Sequence, residues 1–224
     1  MAGPTEASST RGVFVSFEGG EGAGKSTQIG RIRARLEAAG RAVVTTREPG
    51  GSHRAERIRA ILLEAKAKRL KETGEAILFA AARLDHVDTL VAPALREGKI
   101  VLCDRFVDST RVYQGAVAGI EPGFLARLEA AAAGGTTPDL TFVIDVPVPV
   151  GLARARSRRE ARGEPPDRFE GEGAAYHEKV RAAFLAIAAA EPERCVVVDG
   201  AASADEVSAA IWSALAPRIK GRAG

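Results

Sequence analysis

Short runs of apolar and β-branched residues recur along the chain. Longer stretches separate them, in which apolar residues return every three or four positions. The runs V-F-V-S-F (13–17), A-V-V-T-T (42–46), I-V-L-C-D (100–104), L-T-F-V-I-D (140–145) and C-V-V-V-D (195–199) predict five strands. Strands this uniformly apolar suit a parallel sheet covered on both faces. Between the first two, Ile29, Ile32 and Leu36 share one face of a helix over 25–39, with Gly40 as its C-terminal cap. Helical spacing also covers 54–66, 72–97 (with Pro93 as a break or kink), 121–133, 149–160, 174–190 and 203–216. Strands alternating with helices predict βαβ units with right-handed crossovers. The expected fold is a three-layer α/β domain, a five-stranded parallel sheet with helices on both faces. No internal repeat is visible.

One segment breaks the alternation. Residues 154–170 read R-A-R-S-R-R-E-A-R-G-E-P-P-D-R-F-E and include Gly163, Pro165 and Pro166. Most charge runs are solvated surface loops. The alternative here is a short lid whose arginines close over phosphate. The first eleven residues, M-A-G-P-T-E-A-S-S-T-R, lack the apolar stretch of a signal peptide and read as a disordered leader. With 218–224 as a flexible tail, residues 12–217 form the expected single domain.

Composition narrows the function classes. A chain of 224 residues can bury one large core, and 46% apolar with 27% charged residues is ordinary for a soluble enzyme. The formal charge of +3 is a weaker imbalance than a whole-protein nucleic-acid binder usually carries. The longest apolar stretch, A-A-F-L-A-I-A-A-A at 182–190, is too short to span a bilayer. Cys103 and Cys195 lie in or beside apolar runs without metal spacing, which reads as buried, reduced thiols in a cytoplasmic protein.

The strongest chemical signal is E-G-G-E-G-A-G-K-S-T at 18–27. Gly19, Gly24, Lys25 and Ser26 match G-x-x-x-x-G-K-[ST] between a predicted strand and a predicted helix, the context that confirms a phosphate loop. Backbone amides from 20 to 26, through Gly20, Glu21, Gly22, Ala23 and Gly24, can wrap the β-phosphate of a nucleotide at a helix N-terminus, and Thr27 ends the expected nucleotide-binding stretch. Lys25 supplies a point charge to the β- and γ-phosphates, and the Ser26 hydroxyl suits Mg²⁺. Glu21 is the anomaly, a negative charge inside a loop that holds anions. It is either a solvated loop residue or a contact to a second substrate. The loop alone does not say what the nucleotide is used for.

T-R-E-P-G-G (46–51) follows the second strand and D-R-F-V-D-S-T-R-V-Y-Q-G (104–115) the third, at strand ends where doubly wound folds place ligands. F-A-A-A-R-L-D-H (79–86) lies within a helix. Taken with F-E-G-G-E-G-A-G-K-S-T, E-R-I-R, P-D-L-T-F-V-I-D-V and D-R-F-E, these motifs make the chain from 12 to about 217 resemble the bacterial thymidylate kinases with arginines in the lid. The resemblance implies a P-loop nucleoside monophosphate kinase fold. It further implies transfer of the γ-phosphoryl of ATP to dTMP, giving dTDP and ADP for dTTP synthesis, with Mg²⁺ as cofactor. The family is usually homodimeric, and the apolar face of helix 72–97 is one candidate contributor to the interface.

Residue by residue, the resemblance implies that Arg105 reaches the acceptor phosphate and the transferring phosphoryl, and that Asp104 helps Ser26 hold Mg²⁺ through water. Phe79 would stack on thymine and Arg83 donate to its O4; cytosine offers an amine there, so it should be rejected. Gln114 would serve the thymine edge, with the Thr110 hydroxyl nearby. Tyr113 would crowd the sugar C2′, Arg59 contact the acceptor phosphate, Glu48 and Pro49 shape the pocket, and Glu21 accept from the 3′-OH. Without the resemblance, the same residues have plainer readings. Asp104 and Arg105 could be a strand-end salt bridge, Phe79 a core aromatic beside a surface Arg83, Tyr113 a half-buried helix residue and Arg59 a surface arginine.

Several positions depart from the family pattern. Gly22 and Ala23 stand where some relatives carry an arginine, so the missing cation should come from Arg154, Arg156, Arg158, Arg159, Arg162 or Arg168. Arg158 and Arg162 are expected to enter the site and act with Lys25 and Arg105. Ala82 replaces a serine of some relatives, and Val112 a common alanine, adding bulk beside the sugar pocket. Asp199 and Gly200 open a loop expected to border adenine. Two other functions compete: another nucleoside monophosphate kinase, and a P-loop regulatory ATPase.

Overall fold

A computed structural model of the chain describes residues 11–63, 70–163 and 172–220. The five apolar runs become β1 (Phe14–Glu18), β2 (Val43–Arg47), β3 (Ile100–Asp104), β4 (Leu140–Asp145) and β5 (Cys195–Asp199), all parallel in the order β2-β3-β1-β4-β5. β1 lies at the centre, and its register against β3 sets Phe17 opposite Asp104. The loops leaving β1 and β3 therefore emerge side by side, where the strand order reverses.

Strand alternation sends successive side chains to opposite faces. Val15, Phe17 and Leu102 pack with α1 (Lys25–Ala38) and α9 (Ala204–Lys220) on one side. Phe14, Val101 and Cys103 pack on the other side with the helical stretch from Val87 to Leu95 and with Phe106. A third cluster sets Val143 and Cys195 against α8 (Ala174–Ala190) through Val180 and Phe184. Both cysteines are buried and free.

The remaining helices are α2 (His53–Leu63), α3 (Glu72–His86), α4 (Ala92–Arg96), α5 (Val107–Thr110), α6 (Pro122–Ala133) and α7 (Val148–Arg162). The end predicted for α2, 64–66, lies outside the described residues. The single helix predicted over 72–97 is interrupted: α3 passes through a π turn at Val87–Val91 into α4. Pro93 brings no N–H to the ladder at this point, and the wider turn carries the chain across it. Sequence spacing left 107–117 unassigned, but α5 runs on into a second π turn over Arg111–Val117.

Three expectations shift. The arginines from 154 to 162 sit on helix α7, which holds to the spacing predicted over 149–160 and runs on to end at Gly163 with φ 65°, so this part of the expected lid loop is helical. Residues 164–170 of the expected lid, with Arg168, lie outside the described residues. α9 reaches Lys220, so 218–220 of the expected tail are helical. Arg11, placed in the leader, pairs with Asp139 at 3.1 Å; residues 1–10 lie outside the described set. Among the described residues no helix is long and apolar enough to cross a membrane.

Candidate active site

The phosphate loop is shaped by what it leans on. Gly22 has φ 64°, and a Cβ there would sit 2.0 Å from the Gly151 carbonyl oxygen in the first turn of α7. Gly151 is equally constrained, since its Cβ would lie 2.4 Å from the Glu21 carbonyl oxygen. Backbone therefore meets backbone, and position 22 has no room for the arginine that some relatives carry. Ala23 is itself buried in the core. Lys25 folds back over the loop, its Nζ donating to the carbonyls of Gly19 (3.1 Å) and Gly20 (3.2 Å). Burial and then the nearby Arg105 guanidinium hold its pKa below the ordinary lysine value, against Asp104, Glu21 and Glu18.

Asp104, at the end of β3, and Ser26, in the first turn of α1, are brought together by the β1–β3 pairing. The Ser26 hydroxyl donates to Asp104 Oδ2 at 3.0 Å. Asp104 and Arg105 thus turn to different partners. Arg105 points across the cleft mouth. Its Nη2 donates to Glu21 Oε1 and its Nη1 to Ser109 Oγ, both at 3.2 Å, and the guanidinium lies 5.2 Å from the centre of the Tyr113 ring. Burial works against its charge, but Tyr113, Glu21, Glu18 and Asp104 outweigh it, and its pKa is raised. Glu21 is the reciprocal case. Burial works against its ionisation, yet Arg105, Lys25 and Arg158 hold its pKa below the ordinary glutamate value. The anomalous carboxylate is a hinge between cations rather than a charge facing the loop amides.

The acceptor side is a lattice of side chains. Arg83 is 3% exposed, so it is no surface arginine. Its Nε donates to Glu48 Oε2 at 2.8 Å, and its Nη2 to Thr110 Oγ1 at 3.0 Å and to the Phe106 carbonyl at 3.2 Å. The other Glu48 oxygen meets His86 Nδ1 at 3.0 Å, and His86 Nε2 meets Thr46 Oγ1 at 2.7 Å. Glu48 shapes the pocket by orienting Arg83. Arg59 donates to the Pro49 carbonyl at 2.7 Å. Phe79, one helical turn before Arg83, is half-buried, while Gln114 is buried on the second π turn. Glu48, Arg59, Phe79, Arg83, Thr110 and Gln114 line one cleft of about 500 Å³ with residues 21–27 of the phosphate loop.

Arg158 and Arg159 of α7 line the same cleft. Arg154 turns elsewhere, donating to the Gly200 carbonyl at 2.7 Å and tying α7 to the loop after β5. Gly200 itself backs onto the phosphate loop, since a Cβ there would lie 3.4 Å from the Ala23 carbonyl oxygen. Asp199 caps its own turn by accepting from the Ala201 amide at 2.8 Å. Arg162 occupies the last turn of α7. One departure from the family pattern loses its expected meaning: Val112 is fully buried against Val143, Val180 and Phe184 rather than beside the sugar pocket. Ala82 is 1% exposed.

Sequence reasoning missed Glu18, Ser109, Asp108 and His86. Glu18 Oε1 accepts from the Phe106 amide and Oε2 from the Ser109 hydroxyl, both at 2.7 Å. Its pKa is pushed up to about 7 by burial and then by Asp108, against Arg105 and these two bonds. Asp108 is held by Arg194 through two bonds of 2.7 Å. The one available signal was a carboxylate closing an otherwise apolar strand.

The thymidylate kinase family model matches residues 17–211. The chain belongs to the thymidylate kinase family. It is 53% identical over 213 residues to a thymidylate kinase of Nitrobacter winogradskyi, covering 95% of this chain and 92% of that one. A thymidylate kinase of Caulobacter vibrioides is 51% identical over 210 residues, 94% of this chain and 99% of that one. Among solved structures, thymidylate kinase from Ehrlichia chaffeensis superposes with a TM-score of 0.72 at 32% identity, covering 92% of this chain and 98% of that one. The five-stranded sheet with its helices is the P-loop nucleoside monophosphate kinase fold, and as a member of the thymidylate kinase family the protein is a kinase.

Proposed function

We propose that the protein transfers the γ-phosphoryl of ATP to dTMP, giving dTDP and ADP. The observation that carries this reading is the buried Arg83, oriented by Glu48 and Thr110 within the same cleft as the phosphate loop. Its Nη1 takes part in none of the bonds described above and supplies the donor for thymine O4. Phe79 offers a ring face to the base. Gln114 accepts from N3–H and donates to a carbonyl, so it reads the same edge. Glu21 accepts from the sugar 3′-OH, and Tyr113 bounds the sugar.

Arg105 and Arg59 hold the acceptor phosphate. As the phosphoryl leaves ATP, charge spreads over its equatorial oxygens, where the fixed guanidinium of Arg105 helps most in the transition state. Lys25 and the loop amides hold the ATP phosphates. Arg158, with Arg162 further along α7, supplies from the lid side the cation that Gly22 leaves out. Ser26 and Asp104 place two hard oxygens 3.0 Å apart, a donor set that suits Mg²⁺ when water and phosphate complete its shell. Bound there, the metal would neutralise charge on the β- and γ-phosphates. The loop at Asp199 and Gly200 borders adenine.

The enzyme works as a cytoplasmic homodimer in this reading. Exposed Ile77 and Leu84 on α3, with Ile61 on α2, support a helix-packed interface, and the free thiols suit a reducing compartment. A coupled kinase assay with ATP and a panel of dTMP, dUMP, CMP and GMP tests the substrate. Turnover should be fastest with dTMP. Equal turnover of CMP or GMP would overturn the thymine assignment, and ATP hydrolysis independent of any monophosphate would point to a regulatory ATPase.

A further inference from the structure

Arg105 has φ 69°, a left-handed conformation that is strained for a residue with a side chain and needs outside support. The support comes from β1. The Arg105 amide donates to the Phe17 carbonyl at 2.9 Å, and the next amide, Phe106, donates to Glu18 Oε1 at 2.7 Å. Both peptide groups around the strained residue are thus tied to consecutive residues of one central strand. The side chain is steered by the same carboxylate. Ser109 Oγ donates to Glu18 Oε2 at 2.7 Å, which leaves its lone pairs for Arg105 Nη1 at 3.2 Å. The hydrogen bonds run in one direction, from Arg105 to Ser109 to Glu18.

We propose that Glu18 and Ser109 are positioning residues for phosphoryl transfer, holding Arg105 in its strained conformation and aiming its guanidinium at the acceptor phosphate. This rests on the role given to Arg105 above. Glu18 is fully buried, and no arginine or lysine bonds to its carboxylate directly among the described residues. A buried carboxylate without a bonded cation is a poor device for stability. Its raised pKa fits the same conclusion, because burial and Asp108 disfavour the charge that the two hydrogen bonds require. Asp108, clamped by Arg194 in the turn before β5, fixes the other side of α5, so the helix is tied to β1 through Ser109 and to that turn through Asp108.

The test is a kinetic cycle on the full chain with ATP and dTMP, with Tm recorded for each variant. Ser109→Ala should lower kcat roughly 10- to 100-fold, the scale of a small misplacement, with the KM for ATP nearly unchanged. Ser109→Thr keeps the hydroxyl and should restore most of the loss. In an Arg105→Ala background, Ser109→Ala should cost nothing further, because Ser109 acts through Arg105. Glu18→Gln keeps an acceptor for the Phe106 amide but loses the anionic end of the relay. It should lower kcat without lowering Tm, a pattern that a purely structural role does not produce. A wild-type kcat in both Ser109→Ala and Glu18→Gln would overturn the inference, as would an undiminished Ser109→Ala effect in the Arg105→Ala background. If wild type prefers another monophosphate, the substrate assignment fails instead, and the same cycle run with that monophosphate decides the relay.

Discussion

In the proposed reading, phosphates on the donor side meet main-chain amides from one stretch of ten residues, 18–27. On the acceptor side, the same reading has the base and its phosphate meet side chains from segments around 48, 59, 79–86, 105–110 and 114, which line the cleft. The two regions share a cleft but fail differently. A backbone-built site depends on glycine geometry and tolerates little added volume. A side-chain site depends on each partner keeping the next one oriented. Arg105 and Glu21 join the two, since their bond crosses from the β3 loop to the phosphate loop.

The largest effect should come at that joint. Arg105→Ala should lower kcat about 10³-fold, as expected for removing a preorganised group at developing charge. ATP affinity, measured by nucleotide titration, should stay within about threefold of wild type. Near-normal turnover would mean the two regions work independently. Glu48→Gln attacks the side-chain region alone. It leaves Arg83 buried without its carboxylate, and breaking such a pair costs about 3 kcal/mol. Chemical denaturation should show that loss, and the KM for dTMP should rise while the KM for ATP holds. Gly22→Ala attacks the backbone region alone. Its Cβ meets the Gly151 oxygen at 2.0 Å with φ 64°, so about 2 kcal/mol of stability should go. ATP binding should weaken more than dTMP binding; the reverse result would break the contrast.

The same contrast explains what was legible in the sequence. The phosphate loop could be read because all its parts are contiguous and flanked by a strand and a helix. The five strands could be read because both sheet faces are covered, which leaves nearly continuous apolar runs. On its helical pattern alone Arg83 reads as a surface residue, because the carboxylate that permits its burial is 35 positions earlier, at Glu48; only the resemblance marked it as a site residue. The 107–117 stretch had no readable periodicity: Asp108, Ser109 and Arg111 are polar, and their partners Arg194, Glu18, Glu129 and Glu191 come from distant elements. α7 carried two overlapping readings, a helix over 149–160 and a lid loop from 154, and the helix holds through Arg162. Alanine, arginine and glutamate are strong helix formers and no breaker intervenes before Gly163, so the charge run was readable as a helix end.

Phe79 sharpens the comparison with the smallest change. It is half-buried on α3 and lines the cleft, whereas Arg83, one turn on, is locked among Glu48, Thr110 and Phe106. Phe79 therefore contributes a surface and Arg83 an orientation. Loss of a stacking ring costs about 1–3 kcal/mol per base. Phe79→Ala should raise the KM for dTMP about tenfold, near the low end of that range, because the ring is only half-buried. The effect should be similar for dTMP and dUMP, since a ring face does not distinguish them, and the KM for ATP should not move. Discrimination against CMP should survive, because it belongs to Arg83 and Gln114. If Phe79→Ala instead relaxed the choice of base, the ring would be holding Arg83 in place, and the acceptor side would have one more interlocking part than its hydrogen bonds show.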